Sequence, residues 1–329
     1  MAHQAFDEQM AALDALRNKA LEAPDRLLVK RALASKSNFL VAKAAKLAEE
    51  NGLQELAEDM IHAFGRFFEN GEKTDPQCWA KNALSGALSK LECRDKEVFL
   101  RGLRYQQMEP VWGGRSDSAG TLRANCAHAL VACEGLLAQD LLVLLVDLLA
   151  DTDTSVRVEA IRALAQVGDL AVPVLRLRAL VRDQEPEVMA TCFSSLLAID
   201  RSESVAFVAR FLSAKDAAAN EAAYALAETH SEAAWEALLK ARVAKPAPDP
   251  EFASTLLQAI ALARLEAGIS QLLGLIEAED RDAPEAIEAL ARVMQAPEAR
   301  TRLRTVVAGT GSSRLLRLLE QELAANEVL

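Results

Sequence analysis

A leucine returns along this chain at a spacing that paired helices explain. Leu88, Leu130, Leu164, Leu196, Leu226, Leu262 and Leu290 stand 42, 34, 32, 30, 36 and 28 residues apart. Four residues before each comes Leu84, Cys126, Ala160, Cys192, Ala222, Gln258 or Ala286, mostly a small or modest side chain that lets a neighbouring helix approach. Steps of roughly 30–36 residues hold two helices and two short turns, the mark of a helical-hairpin array. A lone hairpin exposes an apolar face on each side. Stacked neighbours cover those faces, so such chains grow as solenoids.

The best-formed unit is DTSVRVEAIRALAQVG, residues 153–168. Asp153 or Thr154 can cap the helix start. Val156, Ala160, Ile161, Leu164 and Val167 share one helical face, and Gly168 stops the helix as a C′ glycine does. DLAVPVLRLRALVRD supplies the next helix. PEVMATCFSSLLAID opens another on a first-turn proline. Composition agrees: 51% of residues are apolar but only 5% aromatic, and the abundant Ala and Leu are strong helix formers. Residues 1–23 read as an N-terminal capping helix, 24–310 as the repeat array and 311–329 as a C-terminal capping helix, all in one continuous domain.

TSVRVEAIRALAQVG resembles the second helix of a HEAT repeat, in the short bacterial form also seen in phycobilin-lyase-like HEAT proteins. Asp153, Val156, Arg157, Ala160, Leu164 and Gly168 stand at the motif's positions. Arg123, Ala124 and Leu130 keep part of the pattern, and Ala219, Glu221 and Leu226 keep less. The resemblance implies an all-α, α-α superhelix of about eight or nine helical hairpins. It also implies that Arg157 ties neighbouring turns through an acidic partner such as Asp153. It says almost nothing about function.

One interruption stands out. Between DKEVFLRGLRYQQ, read as a first helix, and SAGTLRANCAHALVACEG, read as its partner, lies MEPVWGGRSDSAG. This accounts for the long step from Leu88 to Leu130. Insertions in a solenoid fall on one rim, often the binding face. Trp112 on such a loop has no automatic place in a core, and Gly113 and Gly114 permit a sharp path. Arg101, Arg104, Arg115 and Arg123 lie in or beside the loop, with Asp117 among them. Converging arginines beside an aromatic plate suit a carboxylate, a phosphate or an acidic peptide. The competing reading makes Trp112 a plug folded back over a wide hairpin gap. One repeat earlier, TDPQCWAKNALSGAL has Thr74 or Asp75 as cap, Pro76 entering the helix, and Trp79 and Lys81 following. Trp79 reads either as core or as part of the same contact surface. Trp235 reads as packing, and KPAPDP (245–250) as a stiff spacer.

Charge adds direction. The chain carries −11 overall; residues 1–120 hold 17 basic against 18 acidic residues, and the remainder 20 against 30. That balance disfavours nucleic acid and anionic membrane as partners. Arg26, Lys30, Arg31, Lys36, Lys43 and Lys46 form a basic run without an acid. It reads as a solvated face or as a docking patch for an acidic partner.

The five cysteines show neither CxxC nor zinc spacing, so no metal is expected, and their dispersal suits a reducing cytosol. MAHQAFDEQM lacks the features of a signal peptide, and LLVLLVDLLA is too short to cross a bilayer. A soluble, cytoplasmic protein is expected. No GxSxG, Walker-type loop or HExxH is present, so neither a catalytic residue nor a cofactor is assigned. The reading that results is a non-catalytic scaffold for a protein or peptide partner, with self-association open. An enzyme on a HEAT-like array, bilin-lyase-like or, less favoured, like the alkyl-base DNA glycosylases, is the alternative.

Overall fold

The computed structural model describes residues 2–214, 216–244 and 247–325. They form two compact units, residues 1–171 and 172–329, both built from antiparallel helix pairs. In the first unit α1 (Ala2–Asp14) precedes four pairs. These are α2 (Ala23–Leu33) with α3 (Asn38–Glu50), and α4 (Ala57–Arg66) with α6 (Trp79–Lys90), the one-turn α5 (Gly71–Thr74) lying between the last two. Next come α7 (Lys96–Leu103) with α8 (Gly120–Leu130), and α9 (Ala138–Val146) with α10 (Thr154–Val167). Within this unit the second helices α3, α6, α8 and α10 pack one on the next.

The second unit repeats the scheme five times. It pairs α11 (Val172–Val181) with α12 (Pro186–Ile199), α13 (Arg201–Ala209) with α14 (Ala217–Glu228), and α15 (Glu232–Arg242) with α16 (Pro250–Leu262). The last two pairs are α17 (Glu266–Glu277) with α18 (Ala283–Val293), and α19 (Pro297–Gly309) with α20 (Ser313–Ala325). Here α12, α14, α16, α18 and α20 stack in succession. The four and five hairpins agree with the eight or nine that the repeat resemblance implies.

The spaced leucines sit where the stacking argument puts them. Leu88, Leu130, Leu164, Leu196, Leu226 and Leu290 are wholly buried, and so are Leu84, Cys126, Ala160, Cys192, Ala222 and Ala286 four residues before them. α16 corrects the expectation: Leu262 and Gln258 are only half-buried, while Ile260 and Leu256, two residues earlier, are at 0%. The spacing misleads because a leucine happens to stand two residues after the true seam residue, on the other side of the helix.

Local signals mostly act as expected. Asp153 caps α10 by accepting the Ser155 N–H, Gly168 ends it at φ +79°, and Pro186 opens α12. α6 differs. It starts at Trp79 rather than Pro76, because Gln77 and Cys78 both adopt left-handed φ (57° and 55°). Asp75 still caps it, from outside the usual N-cap position, by accepting the N–H groups of Ala80 (2.8 Å) and Lys81 (3.0 Å). Of the KPAPDP spacer, Lys245 and Pro246 lie outside the described residues; Asp249 caps α16 through the Phe252 N–H.

Among the described residues, the interruption holds the only strands. Residues 107–118 are not an irregular loop but a β-hairpin, β1 (Met108–Val111) and β2 (Gly114–Asp117), antiparallel with Val111 opposite Gly114. A two-residue turn, Trp112–Gly113, closes it. Gly113 sits at φ +89°, where a β-carbon would be strained.

Candidate functional site

The hairpin rises from a buried polar base that begins with Asp75 and Lys81, both fully buried. The Lys81 ammonium donates to Asp75 Oδ2 (3.0 Å) and to the Phe67 carbonyl (3.1 Å), and Asn38 donates to the same carboxylate (3.2 Å). A buried charge tolerates this site only because every one of these partners is present.

Gln107, 2% exposed, ties the hairpin to that pair. Its Nε2 donates to the Asp75 carbonyl (2.9 Å) and to Glu109 Oε1 (2.5 Å), its Oε1 accepts from the Tyr105 hydroxyl (2.9 Å), and its backbone N–H donates to Asp117 (2.9 Å). Glu109 also accepts from the Gln77 N–H (2.6 Å) and the Ser118 hydroxyl (3.0 Å). Gly71 makes room for this knot: a β-carbon there would collide with the Tyr105 hydroxyl and Gln107 Oε1.

Arg123 braces the other strand. Its guanidinium donates to Asp117 (2.6 Å), to the Tyr105 carbonyl (2.9 Å) and, through two nitrogens, to Asp151 (2.8 and 2.9 Å). Burial alone would push the Asp117 carboxyl up. The Gln107 and Ala119 N–H groups and Arg123 outweigh it and hold it below the ordinary aspartate value.

The two edges of the hairpin are unequal. The Ser118 N–H donates to the Gln107 carbonyl (3.0 Å), which fixes the parity of the ladder. The main-chain groups of Met108 and Pro110 therefore face outward on β1, and those of Arg115 and Asp117 outward on β2. Pro110 has no N–H to offer, and the Arg115 guanidinium covers the Met108 carbonyl, so β1 is a blunted edge. The main chain of β2 at Arg115 and Asp117 has no backbone partner across that edge among the described residues.

At the tip, Trp112 is 104% exposed. It is not a plug. Met108 and Val111 are exposed on the same hairpin, and Trp79 (51%) and Phe39 (49%) lie exposed with ring centroids 5.8 Å apart. Trp79 connects to the hairpin through Gln77, whose side chain accepts from the indole N–H (3.3 Å) while its backbone N–H binds Glu109.

Two residues expected on the contact surface are internal. Lys81 and Arg123 are buried struts: Lys81 is the counter-charge of the buried Asp75, and Arg123 of the half-buried Asp117 and Asp151. Asp117 is spent on the same bracing. The expected gathering of free cations beside Trp112 is corrected as well. Arg104 pairs with Asp147 (3.0 Å), Arg115 with Glu72 (3.0 Å), and Arg101 lies over the Phe68 ring at 4.5 Å. The basic run is half offset: Arg26 meets Glu55 (3.0 Å), Lys30 meets Asp59 (3.1 Å) and Lys43 meets Asp14. Arg31, Lys36 and Lys46 remain exposed without a carboxylate partner among the described residues.

Gln107, Glu109, Tyr105 and Gly71 escape the sequence reading, which sees Asp75 only as a helix cap. A signal for its pairing with a base exists. Asp75 and Lys81, Asp117 and Arg123, and Asp151 and Arg157 are each six residues apart, and they recur at the same steps of 42 and 34 as Leu88, Leu130 and Leu164. No group of histidine, cysteine and carboxylate side chains able to hold a metal occurs among the described residues, and no described helix is long and apolar enough to cross a membrane. No protein-family model matches the chain, and no curated protein matches it in sequence.

Proposed function

We propose that this chain is a non-catalytic scaffold of HEAT-like repeats over residues 24–310 that holds a protein or peptide partner on the hairpin tipped by Trp112. One observation carries the reading: a tryptophan exposed on every side, at the tip of a hairpin whose base is locked by buried charge pairs. Ordering an exposed aromatic only on binding costs entropy; a pinned strand pair has lost that freedom beforehand. Tryptophan is also the residue type that most often anchors an interface. The open β2 edge offers backbone donors and acceptors to an extended segment of the partner, while the blunted β1 edge prevents pairing on the wrong side. The HEAT-like assignment draws support from Asp153 capping α10.

The test is an affinity capture from native lysate with the wild type and with Trp112→Ala. A partner lost on Trp112→Ala, with the thermal unfolding midpoint unchanged, and then reconstituted from purified components, supports the reading. Identical captured sets overturn it.

A further inference from the structure

In the second unit, α13 and α15 part to leave a trough. Its main cavity measures about 830 Å³ and runs to the start of α16. An adjoining hollow of about 530 Å³ shares Ala206, Ala209 and Ala237 with it and continues toward Arg201 and Ser231. Cavities of roughly 300–1,000 Å³, apolar with a few polar groups, are the size that small molecules fill.

The walls are mainly methyl groups. Ala206 and Ala209 line the α13 side, Ala237 and Ala241 the α15 side, with Leu212 and Phe252 closing one end. Polar groups gather at that same end: Arg210, Lys240, Ser213 and Asp249. Asp249 is already engaged, accepting the Phe252 N–H (3.0 Å) as the cap of α16. Neither Arg210 nor Lys240 has a carboxylate partner among the described residues; the Arg210 guanidinium lies over the Phe207 ring at 5.6 Å. The remaining wall of the trough adds one more cation, Arg201, at the far end. Two cations outside any ion pair among the described residues and one capping carboxylate therefore sit at one end of an apolar trough, a net positive end in the half of the chain that carries the acidic excess.

We infer that this trough is a binding site for a long-chain carboxylate. The acyl chain lies along the alanines between α13 and α15, and the carboxylate sits between Arg210 and Lys240. A nine-residue helix with its short continuation spans about 20 Å at a rise of about 1.5 Å per residue, enough for an extended acyl chain. Alanine at Ala206, Ala209, Ala237 and Ala241 is what leaves the space. The cations supply the preference for an anion over a neutral chain of equal length.

The experiment titrates the full chain with dodecanoate by calorimetry, with dodecanol and dodecyltrimethylammonium as neutral and cationic chains of the same length. The wild type binds dodecanoate at least tenfold more tightly than dodecanol. The double variant Arg210→Glu/Lys240→Glu, both on the surface, loses that preference, and Ala237→Phe, which fills the trough, removes binding while leaving the circular dichroism unchanged. Absence of dodecanoate binding, or binding equal in the wild type and both variants, overturns the inference. Sedimentation with phosphatidylglycerol vesicles separates the sources: binding to vesicles without binding of free dodecanoate also overturns it. Since no residue of the hairpin is altered, failure here leaves the role of Trp112 untouched.

Discussion

The two units are built on the same aliphatic seam but enter their second helices differently. In residues 1–171 the entries of α6, α8 and α10 carry an aspartate followed six residues later by a base: Asp75 and Lys81, Asp117 and Arg123, Asp151 and Arg157. At the equivalent places in the second unit, the base position holds Met189 in α12 and Ala219 in α14, both buried. Among the described residues, the buried charged ones, Asp75, Lys81 and Arg123, therefore lie in the first unit. The buried polar residues of the second are hydroxyls, Thr191, Ser195, Ser204 and Thr255; Thr191 and Thr255 satisfy themselves on carbonyls of their own helix. Apolar stacking suffices to assemble hairpins. The second unit keeps the aspartate at the entry of α12, Asp183, but pairs it with Arg178 of α11 rather than with a base six residues on; among the described residues the aspartate-to-base ladder belongs to the unit that also holds the non-helical insert in one orientation.

The largest test of that contrast is Lys81→Met. Removing the ammonium leaves the Asp75 carboxylate buried against backbone N–H groups and Asn38 alone, and breaking a buried pair from one side costs about 3–5 kcal/mol. Urea unfolding, followed by a variant that keeps Trp79 as its sole tryptophan, should show a midpoint lowered accordingly. The double change Asp75→Asn/Lys81→Met should recover part of the loss, because it removes the stranded charge. A cost below about 1 kcal/mol for Lys81→Met would show that the pair is not needed to hold the hairpin base.

Glycines give the next contrast. Gly71→Ala drives a β-carbon into the Tyr105 hydroxyl and Gln107 Oε1, both fixed in the network. Overpacking of that kind costs about 1–3 kcal/mol. Gly274→Ala, inside α17 in the second unit, meets nothing within 4 Å and is exposed. It should gain up to about 1 kcal/mol from helix propensity alone. Thermal unfolding of the two variants reads both signs. Equal effects would mean that the hairpin base is as plastic as an open helix surface.

How far the sequence discloses these features follows from their range. The hairpin stack was legible because it rests on local period: leucines on a helical face, Asp153, Gly168 and Pro186 at helix ends. Ile260 is hard to pick out because LLQAIALA is apolar on both sides of the helix, so the run of apolar letters does not mark the seam. The β-hairpin reads as a loop in sequence, since four-residue strands carry little periodicity and Trp112–Gly113 is not a usual hairpin-turn pair. Lys81 and Arg123 were placed at a surface because a base reads as exposed until its buried acid is known. The contacts of Gln107 with Asp75 and of Glu109 with Gln77 join residues 32 apart, which no local pattern reports.

The smallest effect separates the units by the sign of a pH slope. Asp117, in the first unit, has its carboxyl held below the ordinary value of 3.8. Its contribution to stability is complete above pH 3.8 and is lost as pH falls through the lower folded value, since the unfolded chain then binds the proton first. Glu221, on α14, is pushed above 4.5 by burial alone. Its ionisation works against folding, so stability is complete below pH 4.5 and declines as pH rises through the folded value. Asp117→Asn should therefore flatten the acid side of the stability profile, and Glu221→Gln the side above pH 4.5, where it should also raise the midpoint at neutral pH. Urea midpoints between pH 3 and 7, read from Trp79 for the first variant and Trp235 for the second, measure both slopes. Slopes of the same sign at the two sites would mean that Asp117 is buried without effective partners, like Glu221. The bracing by Arg123, Gln107 and Ala119 would then not be what distinguishes the first unit.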